Sequence, residues 1–545
     1  MLLIPNGGAD AVDLIGDLRS TGILTINVSL IEAIDAADAV TVTLLDSHDT
    51  LTVSGADASP LVSNIRTSTD LTITVPDGLT VPTGRAEWAG KYTAVVSATD
   101  SLDSININTL GGADDILVPS LVSVARIEGG DGADRVAVGS HASVTSNTGG
   151  TLEAIGAMLT VVGGLGADSL SIDDSGETSG QVGTLTGTLL TGFGLPDGGI
   201  AYSGLATLDL FLGQGGDSLS VLSTAGSTTT RVDAGPGADT VHVSSDAPTG
   251  LGDLHALAGA LSLVGGSGAD ALYVSDAGDG VGDSGTLSAA ALTGFGTAGI
   301  VYETFEVLEV NLGTGADAIT VESTHSGTTL IVGGDGADTF DIRTIDGRTE
   351  VRGAVGDDTF RIGSVMPTPG GLLDEIDALL VIDGGPGIDD AIIDDSGDVD
   401  DSPGTLTQTT LFGLDMGSGV SQTGGISYYG FGANEKITIL LGSGSDRFNV
   451  RGTTASTRLE TRDGDDVVYV SDSADLSGLP TALAAADGDL AVLNDLVLHG
   501  TVTVDGLTFH GSLDLIVGAL DVETGSGSNT LGVSAKADPD PDTNV

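Results

Sequence analysis

The chain has no cysteine at all, so disulfide staples and thiolate metal sites are excluded. Aromatic residues make up only 3% of it and tryptophan occurs once, at Trp88, which leaves little material for sugar stacking or for one large aromatic core. Basic residues are as scarce: 17 Lys and Arg stand against 77 Asp and Glu, a formal charge of -60. Nucleic-acid binding needs clustered positive charge and is excluded on sign. No run reaches the 18 or so apolar residues of a membrane-spanning helix, and the start MLLIPNGGAD lacks the basic and apolar regions of a cleaved signal. Together with the polar, Pro-broken tail ADPDPDTNV, that start gives the expectation of a segment belonging to a larger surface or secreted protein.

What is abundant is glycine, 85 residues, and it recurs in a pattern. A Gly-rich turn ends in Asp and is followed by a short strand alternating apolar and polar residues. The tract from Gly313 to Ile362 shows it three times, at Asp317, Asp338 and Asp358. The same cassette ends at Asp114, Asp134, Asp168, Asp217, Asp239, Asp270, Asp389, Asp446 and Asp466. Residues two and four after the Asp are apolar (Val241 and Val243, Ile319 and Val321, Phe448 and Val450), which is strand period two. Between cassettes lies a turn rich in Ser and Thr, as in STHSGTTLIV. A period near 20 with two strands and two unlike turns predicts an all-β, elongated parallel β-solenoid, each strand pairing with its copies about 4.8 Å above and below. Some twenty-odd coils would then extend for roughly 100 Å.

A longer repeat is superposed. The segments beginning at Gly199, Gly299 and Gly425 align, placing Tyr202, Tyr302 and Tyr428 in equivalent positions, where wall packing is the expected role. Each is preceded by an acidic DDSG or SDAGD stretch and a GTLT-like strand. The organisation expected is an irregular β region or cap over 1–110, a solenoid with three long tandem repeats over 111–500, and degenerate coils with a linker tail over 501–545. Asn529 in ETGSGSNTLGV takes the place of a cassette Asp, as suits a terminal coil.

Stacked about 5 Å apart, cassette carboxylates would repel by about 3 kcal/mol per neighbouring pair at an effective dielectric near 20. A hard divalent cation between turns relieves this, and irregular oxygen donors suit Ca²⁺ better than Mg²⁺. The alternative is that each Asp only caps its turn through backbone hydrogen bonds. The cassettes GGDGADRVA and GGDGADTFD resemble the nonapeptide repeats of the RTX, or haemolysin-type, secreted proteins. That resemblance implies a parallel β-roll with Ca²⁺ held between turns of adjacent coils, and it implies that the twelve cassette aspartates are the metal ligands. The chain departs from it in having one Asp cassette per coil, so the ladder is expected on one edge only. Longer gaps, from Asp239 to Asp270 and from Asp389 to Asp446, are expected to break the ladder.

Catalytic motifs are missing from the sequence. The seven His are scattered, and no G-x-S-x-G, H-E-x-x-H or P-loop pattern occurs. Acids in the Ile392 to Gly404 loop resemble a glycosidase pair only in the sense that acids abound everywhere. T-x-T steps such as Thr41 to Thr43 are too irregularly spaced for one long hydroxyl rank. The expected function is therefore an extracellular or cell-surface, calcium-binding structural or adhesive module of a larger bacterial protein, and not an enzyme. Alternatives are a self-assembling fibre or sheet subunit and a secreted carbohydrate-active enzyme. The partners expected are calcium ions, with other copies of the chain or a surface polysaccharide or receptor beside them, and neither nucleic acid nor membrane insertion.

Overall fold

The computed structural model describes residues 113, 115–121, 124–143, 146–417, 424–476 and 512–533, together with the backbone of short strands within 11–108 and 502–509. Asp114, Trp88 and the Pro76-Asp77-Gly78 turn lie outside the described residues. The chain is all-β, with no helix among the described residues, and its strands form long sheets in which parallel pairing dominates. It divides into two compact units, one of Met1–Tyr273 with Gly296–Glu306 and one of Val274–Phe295 with Val307–Val545.

In the first unit, Asp115–Val118 pairs in parallel with Arg135–Val138, which pairs with Ser169–Asp173, then Thr207–Phe211, Thr229–Asp233 and Leu261–Val264. A second series runs through Ser104–Asn108, Val124–Asp131, Leu159–Leu165 and Ile200–Ser203. Register is set by the apolar period. Val138, Ile172, Leu210, Val232, Leu263 and Tyr302 stand in register along one file, and all are buried. A one-residue slip would turn that whole file to the opposite face. Among the early strands, Ala39–Leu44 and Asp70–Thr74 pair antiparallel with Thr41 opposite Thr72, so two of the T-x-T steps lie side by side.

In the second unit, Ala318–Val321, Thr339–Ile342, Thr359–Ile362, Asp390–Asp394, Lys436–Leu440 and Ser456–Arg462 pair in parallel in that order. The cassette period puts Phe340 opposite Phe360, and their rings stack at 5.0 Å. The next residue in that file is Ala391, and Phe431 packs edge-on to Phe360 at 5.9 Å. Val307–Asn311, Thr328–Asp335, Thr349–Val355, Leu379–Asp383 and Gly425–Tyr429 form the companion series. A cassette turn thus leads from Thr328–Asp335 into Thr339–Ile342, and a Ser/Thr-rich or Gly-containing turn leads on to the next companion strand.

Each long repeat inserts an antiparallel hairpin into this parallel pattern: Val182–Leu185 with Leu189–Gly192, Ser284–Ser288 with Ala291–Gly294, and Pro403–Leu406 with Thr410–Gly413. Each hairpin ends in a left-handed residue, Phe193, Phe295 or Leu414. In the first and third repeats the second hairpin strand pairs with the strand bearing Tyr202 or Tyr428. The three equivalent tyrosines are buried, in the wall role expected of them. The hydroxyls of Tyr202 and Tyr428 donate to the carbonyls of Thr186 and Thr407, at corresponding points of their hairpins.

Candidate metal centre

The cassette aspartates come together as files of directed hydrogen bonds. In the second unit the amide of Asp317 donates to Oδ1 of Asp338, that of Asp338 to Asp358, and that of Asp358 to Asp389, at 2.8, 2.8 and 2.9 Å. Asp446 donates likewise to Asp466 at 3.0 Å, and Asp466 to Oδ1 of Asn529 at 2.9 Å. In the first unit Asp134 donates to Asp168, Asp217 to Asp239, and Asp239 to Asp270. The residue that must sit here is short and carries an acceptor, which explains both the recurrence of Asp and the sufficiency of Asn at 529. Asp does cap backbone, but it caps the amide of the preceding cassette rather than a donor in its own turn.

The longer gaps do not interrupt these files. Asp239 reaches Asp270 across 31 residues, and Asp358 reaches Asp389 across the same interval. The intervening residues loop out and return the next cassette to register. Where no cassette Asp precedes, another residue fills the rung: the amides of Gln181, Asp283 and Ser402 donate to Oδ1 of Asp217, Asp317 and Asp446. The amide of Asp270 goes to the Glu306 carboxylate at 2.6 Å. Gln181, Asp283, Ser402 and Glu306 were not legible as rungs because they follow no Gly-rich turn of cassette form; their only signal is the position each holds before a strand.

The second carboxylate oxygen is the informative atom. Oδ2 of Asp168, Asp239, Asp270, Asp338, Asp358, Asp389 and Asp466 is buried without a hydrogen-bond partner. It lies against the glycine that opens the turn: a Cβ on Gly353 would fall 2.2 Å from Oδ2 of Asp358, and one on Gly333 2.3 Å from Oδ2 of Asp338. Turn glycines also meet each other, and a Cβ on Gly356 would fall 1.3 Å from the carbonyl oxygen of Gly336. The cassettes therefore tolerate no side chain there and bring backbone oxygens of neighbouring turns close together. Asp217 and Asp317 differ, because the amides of Gly213 and Gly313 occupy their Oδ2.

Burial is the main cause that pushes these carboxyls above the ordinary carboxylate range. Asp239, Asp338, Asp358, Asp389 and Asp446 are pushed up to about 6, with charges of file neighbours adding to the burial and amide hydrogen bonds opposing it. Asp168, Asp217, Asp270 and Asp466 are raised for the same first reason. Unpartnered anionic oxygens held beside backbone carbonyls fit a hard, oxygen-binding cation at the seven rungs whose Oδ2 is open. Asp217 and Asp317 fit one less well.

No protein-family model matches the chain, and no curated protein matches it. No helix among the described residues is long and apolar enough to cross a membrane.

Proposed function

We propose that the chain is a calcium-loaded parallel β-solenoid, akin to the RTX repeat, that serves as a structural or adhesive module of an extracellular or cell-surface protein and is not an enzyme. The observation that carries the reading is the series of buried Oδ2 atoms without hydrogen-bond partners in successive cassettes. A fold selected only for backbone capping would be served by Asn, without charge. Retaining Asp in a chain of charge -60 adds repulsion unless a cation neutralises it. Parallel pairing of equivalent strands at the short period supports the stacked-coil geometry that such a series needs. Calcium is favoured over zinc and copper because the cassettes offer oxygen alone. Extracellular calcium, at millimolar concentration, matches sites with dissociation constants of roughly 0.1 to 1 mM.

Circular dichroism and thermal melting of the whole chain, in chelator and in millimolar Ca²⁺, test the reading. Calcium is expected to raise the melting temperature sharply and to restore β signal lost in chelator. Identical spectra and melts in the two media would overturn the metal role.

A further inference from the structure

The long repeat carries a second acidic constellation that the cassette files do not use. In the first unit, Asp174 follows the strand Ser169–Asp173 and is 1% exposed. Its Oδ1 accepts the amide of Leu152 at 2.8 Å, while its Oδ2 is buried with no hydrogen-bond partner. Beside it, Glu177 turns back so that Oε1 accepts the amides of Thr178 and Ser179, and its carboxylate meets that of Glu153. Oε1 of Gln181 is also buried without a partner. Two oxygens of different chemistry, one anionic and one neutral, are thus withdrawn from water at the foot of the same hairpin with nothing to bind them.

The third repeat rebuilds this arrangement in the second unit. Asp395, 1% exposed, accepts the amide of Leu373 through Oδ1 at 3.0 Å, as Asp174 does that of Leu152. Asp398 stands in the place of Glu177, and Ser402 in that of Gln181, its amide bonded to a file aspartate in the same way. The Oγ of Ser402 lies 2.8 Å from Oδ2 of Asp398 and 2.7 Å from Oδ2 of Asp415. A hydroxyl has one proton and satisfies one of these carboxylates; the other contact then sets oxygen against oxygen. Asp374 adds a further carboxylate within electrostatic reach of Asp398 and Asp415. In the middle repeat the same sequence positions hold Asp276, Asp279 and Asp283, and Oδ2 of Asp279 is again buried without a partner.

We propose that each long repeat binds one hard divalent cation of the calcium class at the foot of its hairpin, on side-chain oxygens of Asp174, Glu177, Gln181 and Glu153 in the first copy and of Asp395, Asp398, Ser402, Asp415 and Asp374 in the third. A proton would satisfy one oxygen; a cation satisfies several at once. The mixed set of carboxylate, amide and hydroxyl oxygens with no sulfur suits Ca²⁺. None of these ligands is a cassette aspartate, so the sites are independent of the files. They would hold each inserted hairpin against the parallel sheet, where the chain leaves its short period.

The test is calcium stoichiometry of the full chain by equilibrium dialysis against Ca²⁺ up to about 10 mM, above the dissociation constants of roughly 0.1 to 1 mM typical of extracellular sites. The triple variant Asp174→Asn, Asp276→Asn, Asp395→Asn is expected to bind three ions fewer than the parent, while Asp338→Asn keeps those three. If the triple variant binds as many ions as the parent, the hairpin sites are wrong and the file reading stands. If Asp338→Asn binds as many as the parent while the triple variant loses three, the hairpin sites stand and the file reading suffers. A parent chain that binds no calcium overturns both. Should the triple variant fail to fold, Asp398→Asn, at a half-buried position, is expected to lose one ion, and an unchanged count there overturns the proposal.

Discussion

The backbone amide of Asp338 donates to Oδ1 of Asp358 at 2.8 Å. Oδ1 of Asp338 in turn accepts the amide of Asp317, so one side chain links three successive cassettes. Asp338→Ala leaves the Asp317 amide buried without an acceptor and is expected to destabilise by about 1 to 3 kcal/mol. Asp338→Asn keeps the acceptor and removes the charge. In chelator it should therefore melt at or above the parent, and in millimolar Ca²⁺ below it. The two melts of the Asn variant decide the matter: an equal loss in both media would mean that the second oxygen has no metal to bind.

Much of this arrangement is written in the sequence at the level of period. The turn that ends in Asp and the apolar residues two and four beyond it are repeated, so the parallel register of Ile319, Phe340 and Phe360 follows from spacing alone. Continuity of the files was not legible, because sequence separation is a poor guide to spatial neighbours once a segment can loop out. Asp239 and Asp270 look isolated at 31 residues and are hydrogen-bonded. The hairpin sites were less visible still. Acids such as Asp174 and Asp395 sit in stretches where every neighbour is polar, and only burial separates them from solvated ones.

Turn glycines divide into those that meet a neighbour and those that do not. Gly353→Ala would drive its Cβ to 2.2 Å from the Asp358 carboxylate, and Gly356→Ala to 1.3 Å from the Gly336 carbonyl oxygen. Each is expected to cost about 2 kcal/mol or more, since backbone has to move. Gly280, whose Cβ would meet nothing nearer than 3.7 Å, serves as the control. Gly280→Ala should be neutral or stabilising by up to about 1 kcal/mol. Urea midpoints of the three variants measure this, and a loss at Gly280 equal to that at Gly356 would refute the close-approach argument.

The three hairpins solve one packing problem in two ways. Phe193 covers Gly183 and Phe295 covers Gly285, each ring carbon about where a Cβ would be, at 1.9 and 2.0 Å from it. In the third repeat the hairpin ends in Leu414, and the ring over Gly404 comes from Phe448 on the paired parallel strand. The counterparts of Phe448 in the other copies are the aliphatic Leu219 and Ile319. Leu414→Phe alone should overpack, and Phe448→Leu alone should leave a cavity, each at about 1 to 3 kcal/mol. The double variant conserves volume and is expected to recover at least about 1 kcal/mol of the summed loss. Strict additivity in a double-mutant cycle would show that the two side chains do not share the space.

Acidity should act on the metal-free chain in the direction opposite to ordinary acid denaturation. Asp239, Asp338, Asp358, Asp389 and Asp446 are pushed up to about 6 when folded, Asp174 to about 7 and Asp395 to about 8, burial being the first cause in every case. Unfolded, an Asp titrates near 3.9. Between those values the folded chain binds more protons than the unfolded one, so stability falls as pH rises. The contribution is fully present below about pH 4 and is lost as pH climbs through 6 to 8. In chelator the melting temperature should therefore be higher at pH 5 than at pH 8. Calcium, which displaces these protons, should act most strongly at pH 8 and flatten or invert the profile. Differential scanning calorimetry at pH 5 and pH 8, with chelator and with millimolar Ca²⁺, gives the four values required. A metal-free chain that melts higher at pH 8 than at pH 5 would show that its buried carboxylates are held as anions by the protein alone.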